Sequence, residues 1–170
     1  AALETSVVAT MNTALVLERL AASDWLLSAD TELQLADLRV NTPQAAIKLP
    51  RTVLQLDAAA AYGKDVWTLA AKTNTRLSKL EVAADETGAK LPETVIALNV
   101  EAKAQDGQQE LTASTNITLN DVTVDSPEAQ VQLPQLAFEA DASAKGAGDN
   151  WDITTRANAT LSELDVASPQ

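Results

Sequence analysis

Apolar and small residues alternate with polar ones at Trp25, Leu27, Ala29, Thr31, Leu33 and Leu35, the two-residue period of a half-buried strand. The phase then jumps: Leu38 and Val40 continue on even numbers, Ile47 and Leu49 on odd, and Thr52, Leu54, Leu56, Ala58 and Ala60 on even again. This predicts two long strands with one phase slip apiece. The slips fall at Ala36-Asp37 and Pro50-Arg51, symmetrically about a turn at Pro43-Gln44, so folding the hairpin sets one opposite the other. An extra residue in a strand is a β-bulge, which bends it, and proline, lacking its N–H, is tolerated inside a strand mainly at such a place. The sheet is expected to crease along the Leu-Pro steps.

The same pattern returns every 42 residues. Pro50, Pro92 and Pro134 follow Leu49, Leu91 and Leu133; Leu35, Leu77, Leu119 and Leu161 share a phase, as do Leu38, Leu80, Val122 and Leu164, and Val40, Val82, Val124 and Val166. The copies are 25–66, 67–108, 109–150 and a partial 151–170 within a repeat region of 24–170, and a last copy stopping halfway suggests a piece of a longer array. Requiring paired residues to share a face sets the register. The first hairpin pairs Leu27 with Ala60, Ala29 with Ala58, Thr31 with Leu56, Leu33 with Leu54 and Leu35 with Thr52, then Leu38 with Leu49 and Val40 with Ile47. The next pairs Tyr62 with Trp67, Ala60 with Leu69, Ala58 with Ala71, Leu56 with Thr73, Leu54 with Thr75 and Thr52 with Leu77, then Leu49 with Leu80. The turns required fall on Lys64-Asp65, Asp106-Gly107 and Gly148-Asp149 at one end, and on Pro43-Gln44, Asp85-Glu86, Pro127-Glu128 and Pro169-Gln170 at the other; Asp-Gly is among the strongest hairpin signals.

Residues 1–23 fall outside this register, because extending the ladder backwards would put Glu18 and Asn12 on the apolar face. Leu3, Val7, Met11, Ala14 and Leu15 follow three-to-four spacing, which predicts a short amphipathic helix capping the sheet. The expected fold is mainly β: a repetitive antiparallel meander of long creased strands forming a taco-like β-groove, with that helix at its N-terminal end.

Across the inward positions from Trp25 to Val166 there is no Asp, Glu, Lys or Arg. At ~3.3 Å per residue the two walls measure ~40 Å and ~20 Å, and the trough is ~35 Å long. The candidate groove residues on the long wall are Leu27, Ala29, Leu33 and Leu35 in the first strand and Leu54, Leu56, Ala58 and Ala60 in its return. Leu69, Ala71 and Leu77, then Ile96, Leu98, Val100 and Ala102, belong to the second copy. Leu111, Ala113, Ile117 and Leu119, then Phe138, Ala140 and Ala142, belong to the third, and Ile153 to the fourth. Side chains shrink toward the outer end of the wall, leaving room either for the walls to pack together or for an acyl chain.

Composition narrows the chemistry. With no cysteine and no histidine, the chain lacks disulfides, thiol nucleophiles, the usual zinc ligands and the commonest general base. Carboxylates alone would have to do any chemistry, and none falls in the groove, so we expect no enzyme, no catalytic residue, no cofactor and no metal. Lys plus Arg number 12 against 24 Asp plus Glu, a net charge of -12, which disfavours nucleic acid as a partner. Trp25, Trp67 and Trp151 recur at one strand end, beside Tyr62 in the first case, as hairpin-end packing or as a rim that meets lipid headgroups or a partner. Asp37, Lys79, Asp121 and Glu163 read as solvated bulge positions, and Thr31, Thr73 and Thr115 as an inward ladder that suits strands.

On the run Leu33-x-Leu35-x-x-Leu38-x-Val40, returning as Leu77-x-x-Leu80-x-Val82, Ile117-x-Leu119-x-x-Val122-x-Val124 and Leu161-x-x-Leu164-x-Val166, the chain resembles the AsmA-like superfamily of bacterial envelope proteins, the TamB, YhdP and YdbH type. The resemblance covers about residues 25 to 170, and return strands such as Lys90-Leu91-Pro92-Glu93-Thr94-Val95-Ile96 look closest to YdbH. It implies a hydrophobic groove that shields the acyl chains of phospholipid or another acyl lipid across the periplasm of a Gram-negative bacterium. It also implies a parent protein anchored in the inner membrane, meeting both membranes through parts outside this chain. The competing expectation is a structural or adhesive β-repeat spacer whose walls pack against each other. Replacing Leu54 and Ile96 by Asp should place two carboxylates on the apolar face and cost several kcal/mol, read as loss of the β-sheet circular dichroism signal; a stable double variant would show the register to be wrong.

Overall fold

The computed structural model describes residues 4–20, 24–42 and 44–168. They form one open antiparallel sheet of nine strands: β1 (Glu4–Arg19), β2 (Trp25–Asn41), β3 (Ala45–Gly63), β4 (Val66–Ala84), β5 (Thr87–Gln105), β6 (Gln108–Asp125), β7 (Gln130–Ala147), β8 (Asn150–Leu161) and β9 (Asp165–Ala167). Strands β1 to β8 pair in chain order, and β9 pairs with β7 beyond the end of β8. Among the described residues only strands that pair in the sheet touch one another, and no hydrophobic side chain is buried. The accessible surface, 11608 Å², compares with about 8,000 Å² for a compact monomer of this mass.

The cross-strand partners follow the register expected from face matching, from Leu27 with Ala60 to Val40 with Ile47 in the first hairpin and from Tyr62 with Trp67 to Thr52 with Leu77 in the next. Leu49 and Leu80 are the exception. The ladder between β3 and β4 breaks off at Arg51–Ser78 and resumes at Lys48–Glu81 in the same register. At the turns, Asp106 and Gly107 both take positive φ, 52° and 77°, the pair that a type I′ hairpin requires. At the other end Thr42 N–H donates to the Ala45 carbonyl (2.8 Å), while Thr42 Oγ1 accepts from Ala45 N–H (2.9 Å). Ser126 repeats both bonds with Ala129. Pro43 and the Pro169-Gln170 turn lie outside the described residues.

The crease has a backbone signature. Asp37, Lys79 and Asp121, one in each outgoing strand, are exposed and take φ of 54°, 58° and 53°, left-handed values that let one extra residue be accommodated in the strand. In the fourth copy the strand divides at this level: β8 ends at Leu161 and β9 begins at Asp165. Ser162 bridges the gap to β7, its Oγ accepting from Gln135 N–H (2.7 Å) and its N–H donating to the Gln135 carbonyl (3.0 Å). Among the described residues the only buried ones, Thr52 and Thr94, 8% and 5% exposed, follow the Leu-Pro steps on the return strands.

The helix expected within 1–23 is not formed. The described part of that segment, Glu4–Arg19, is strand β1, antiparallel to β2; Leu3 lies outside the described residues. Spacing misled because Val7, Met11 and Leu15 are four apart, a step that suits a helix and equally two turns of strand alternation. The ladder misled because β1 has no slip of its own. Thr5 pairs with Val40 and Ser6 with Arg39 in the repeat's register, but from Val8–Ala36 onward the register is displaced by one residue. That displacement puts Ala9, Met11, Thr13, Leu15 and Leu17 opposite Leu35, Leu33, Thr31, Ala29 and Leu27, and turns Asn12 and Glu18 to the other face.

A left-handed lysine lacks the short polar side chain that eases this conformation for Asp or Asn. Lys79→Gly should therefore raise stability by about 0.5–1 kcal/mol and Lys79→Val lower it by about 1–2 kcal/mol, read from urea midpoints at constant slope. Equal midpoints for the two variants would remove the left-handed bulge.

Candidate functional site

Register assembles the inner face into rows that run along the sheet with one residue per strand. At the outer end of the long wall the row reads Arg19, Trp25, Tyr62, Trp67, Ala104, Gln109, Gly146, Trp151 from β1 to β8. Below it lies Leu17, Leu27, Ala60, Leu69, Ala102, Leu111, Ala144, Ile153, and below that Leu15, Ala29, Ala58, Ala71, Val100, Ala113, Ala142, Thr155. A fourth row runs Thr13, Thr31, Leu56, Thr73, Leu98, Thr115, Ala140, Ala157, and a fifth Met11, Leu33, Leu54, Thr75, Ile96, Ile117, Phe138, Ala159. The crease row is Ala9, Leu35, Thr52, Leu77, Thr94, Leu119, Leu136, Leu161. The structure thus places all the groove residues proposed from the sequence in five rows on one face.

On the inner strands the leucines of the second row are more exposed than those of the crease row. Leu27, Leu69 and Leu111 are 40%, 40% and 44% exposed and Ile153, on the edge strand, 68%; Leu35, Leu77 and Leu119 are half-buried and Thr52 and Thr94 buried. Two hollows open on this face. One of about 290 Å³ lies over Leu98, Ala113, Thr115, Ala140, Ala142 and Ala157, where the small side chains were expected to leave room, and also touches Ser114, Asp141 and Arg156 of the opposite face. The other, about 360 Å³, lies at the outer end among Trp25, Leu27, Ala60, Tyr62, Trp67 and Leu69.

Two larger hollows, about 690 and 500 Å³, are lined mainly by residues of the opposite face, and that face is organised as a solvated surface. Lys145 Nζ sits 2.8 Å from Glu110 Oε1, and this carboxylate holds the lysine's pKa above its ordinary value. Arg76 pairs with Glu93 at 3.2 Å. The Gln34 and Gln55 side-chain amides donate to Glu32, whose pKa is held below the usual carboxylate value first by Gln34 and then by Gln55. Exposed pairs of this kind are worth little individually.

Sequence reasoning missed the part of the apolar face that β1 supplies. Val7, Met11, Leu15 and Leu17 stand 52–68% exposed along one edge. The unbroken alternation from Thr5 to Leu17 was the available signal, overridden by the polar residues that an unshifted register would have turned inward. It also missed the floor: Thr52 and Thr94 Oγ1 are buried at the crease and neither has a hydrogen-bond partner. The inward threonines differ in what they do. Thr31 Oγ1 donates to Thr13 Oγ1 (3.3 Å) and Thr115 Oγ1 to the Ala97 carbonyl (3.2 Å).

No family model, curated protein or solved structure matches the chain. The functional reading therefore stands on the face itself.

An unpaired buried hydroxyl costs about 1–3 kcal/mol, whereas an apolar group of the same shape avoids that penalty. Thr52→Val and Thr94→Val should each raise stability, by about 1 kcal/mol, in the same urea titration. A loss of stability in both would show that the hydroxyls are satisfied at the crease.

Proposed function

We propose that the chain is a segment of an AsmA-like intermembrane lipid-transfer protein, and that its inner face shields phospholipid acyl chains on their way across the bacterial periplasm. The observation that carries this reading is an apolar face that is charge-free between Trp25 and Val166 and, among the described residues, has nothing packed over it. Contiguous apolar patches on soluble monomers seldom exceed roughly 300–600 Å², and this surface runs through eight strands in five rows. An acyl chain suits such a surface because it needs no hydrogen-bonding partner and slides between equivalent rows without a change of register. Small side chains at Ala58, Ala71, Ala113 and Ala142 hold one row shallow along the direction of travel.

The spacer reading requires self-packed walls. Packing would bury Leu27, Leu69 and Leu111, which stand 40–44% exposed, so the open face favours a ligand over a dry interior. The negative charge of the chain lies on the opposite face and in the turns, where it opposes self-association without entering the groove.

Lipid extraction and native mass spectrometry of the purified chain test this directly. Phospholipid should co-purify, and enlarging the shallow row with Ala58→Phe and Ala142→Phe should remove most of it while the circular dichroism spectrum is kept. A wild-type chain free of lipid, or one whose lipid load the two phenylalanines do not change, would overturn the proposal.

A further inference from the structure

The aromatic residues at the outer end of the long wall do not form a uniform rim. Trp25, Tyr62 and Trp67 are consecutive cross-strand partners on β2, β3 and β4, so three rings project from the same face at one level. Further along the same row stand Ala104, Gln109 and Gly146. Trp151, on the edge strand, rests against Gly146: a Cβ on that glycine would lie 2.5 Å from Trp151 Cδ2. The aromatic cluster therefore occupies one end of the groove only.

Within the cluster the rings are not used up in packing. Trp25, Tyr62 and Trp67 are 40%, 60% and 41% exposed and border the hollow of about 360 Å³. One ring already engages a cation, with the Arg19 guanidinium carbon 5.5 Å from the centroid of Trp25. Aromatic faces attract cations, most strongly tryptophan, and alkylammonium groups are the ligands that clusters of them recognise. The overall charge of -12 also favours an amine head over an anionic one.

The level is right for a lipid head. Ten residues separate the row of Trp25 from the crease row of Leu35, ~33 Å along the strand, against about 15 Å for the chains of one bilayer leaflet. A lipid whose head sits among the three rings thus has room for its chains on the rows below. Building on the groove reading, we propose that Trp25, Tyr62 and Trp67 form a headgroup site that takes the alkylammonium of a zwitterionic phospholipid.

The test compares dihexanoyl phosphatidylcholine, phosphatidylethanolamine and phosphatidylglycerol, kept monomeric, by calorimetry and tryptophan fluorescence. The two amine lipids should bind about three- to thirtyfold more tightly than the glycerol lipid. Tyr62→Leu with Trp67→Leu should abolish that preference, and Trp151→Leu should preserve it. If the double variant loses its β-sheet circular dichroism, Tyr62→Leu alone serves, with the preference expected to shrink. Equal binding of all three lipids would overturn the headgroup site and leave the groove standing, and binding of none would overturn both. A preference that survives loss of the rings places the amine elsewhere and sinks the proposal. Free choline distinguishes a soluble amine from a lipid head: it should bind far more weakly than the choline lipid, and equal affinity would overturn the lipid assignment.

Discussion

The constraint on which the structure depends is that each strand must pair with its neighbours while keeping one side of the sheet free of charge from Trp25 to Val166. In a globular domain a buried core would enforce such a choice, because a one-residue slip would turn apolar side chains outward. Here no hydrophobic side chain among the described residues is buried, so the sheet is held by ladder hydrogen bonds and by cross-strand side-chain pairs along the rows of the inner face. Cross-strand pairs such as Leu33 with Leu54 and Ile96 with Ile117 supply the contacts that layers supply elsewhere.

On the proposed reading, the residues that would meet a lipid are also those that hold the sheet together. An apolar face left uncovered costs the folded chain the burial that a second layer would provide, and whatever covers it adds that burial back. The two ends of the long wall differ in what they would offer the proposed lipid. Near the crease the leucine rows are half-buried and leave little access, whereas toward the open end the side chains shorten or become aromatic, and the hollows lie there.

Much of the fold was legible because a two-residue alternation broken at fixed places over-determines pairing. The register of the first two hairpins, the turns at Asp106-Gly107 and Lys64-Asp65 and the placement of the slips all followed from requiring faces to match. β1 was not legible for a specific reason: its apolar residues at Val7, Met11 and Leu15 satisfy two periods at once, and it pairs with β2 out of step with the repeat. For the candidate site, the charge-free face could be read from alternation alone. The clustering of Trp25, Tyr62 and Trp67, the bare stretch at Ala104, Gln109 and Gly146, and the unpaired hydroxyls at the crease depend on which strands lie side by side and how sharply they bend, which no single strand's pattern contains.

The slips come in opposed pairs, and this has a geometric consequence. In every hairpin from β2 onward both strands gain a residue at the same level, so the register above the crease equals the register below it. The paired slips therefore leave the ladder unsheared from one side of the crease to the other. A slip on one strand alone, as between β1 and β2, offsets the long wall by one residue against the short wall. Repeated in every hairpin, that offset would accumulate and skew the rows across the trough. Confined to the first pair, it leaves the rest of the array straight.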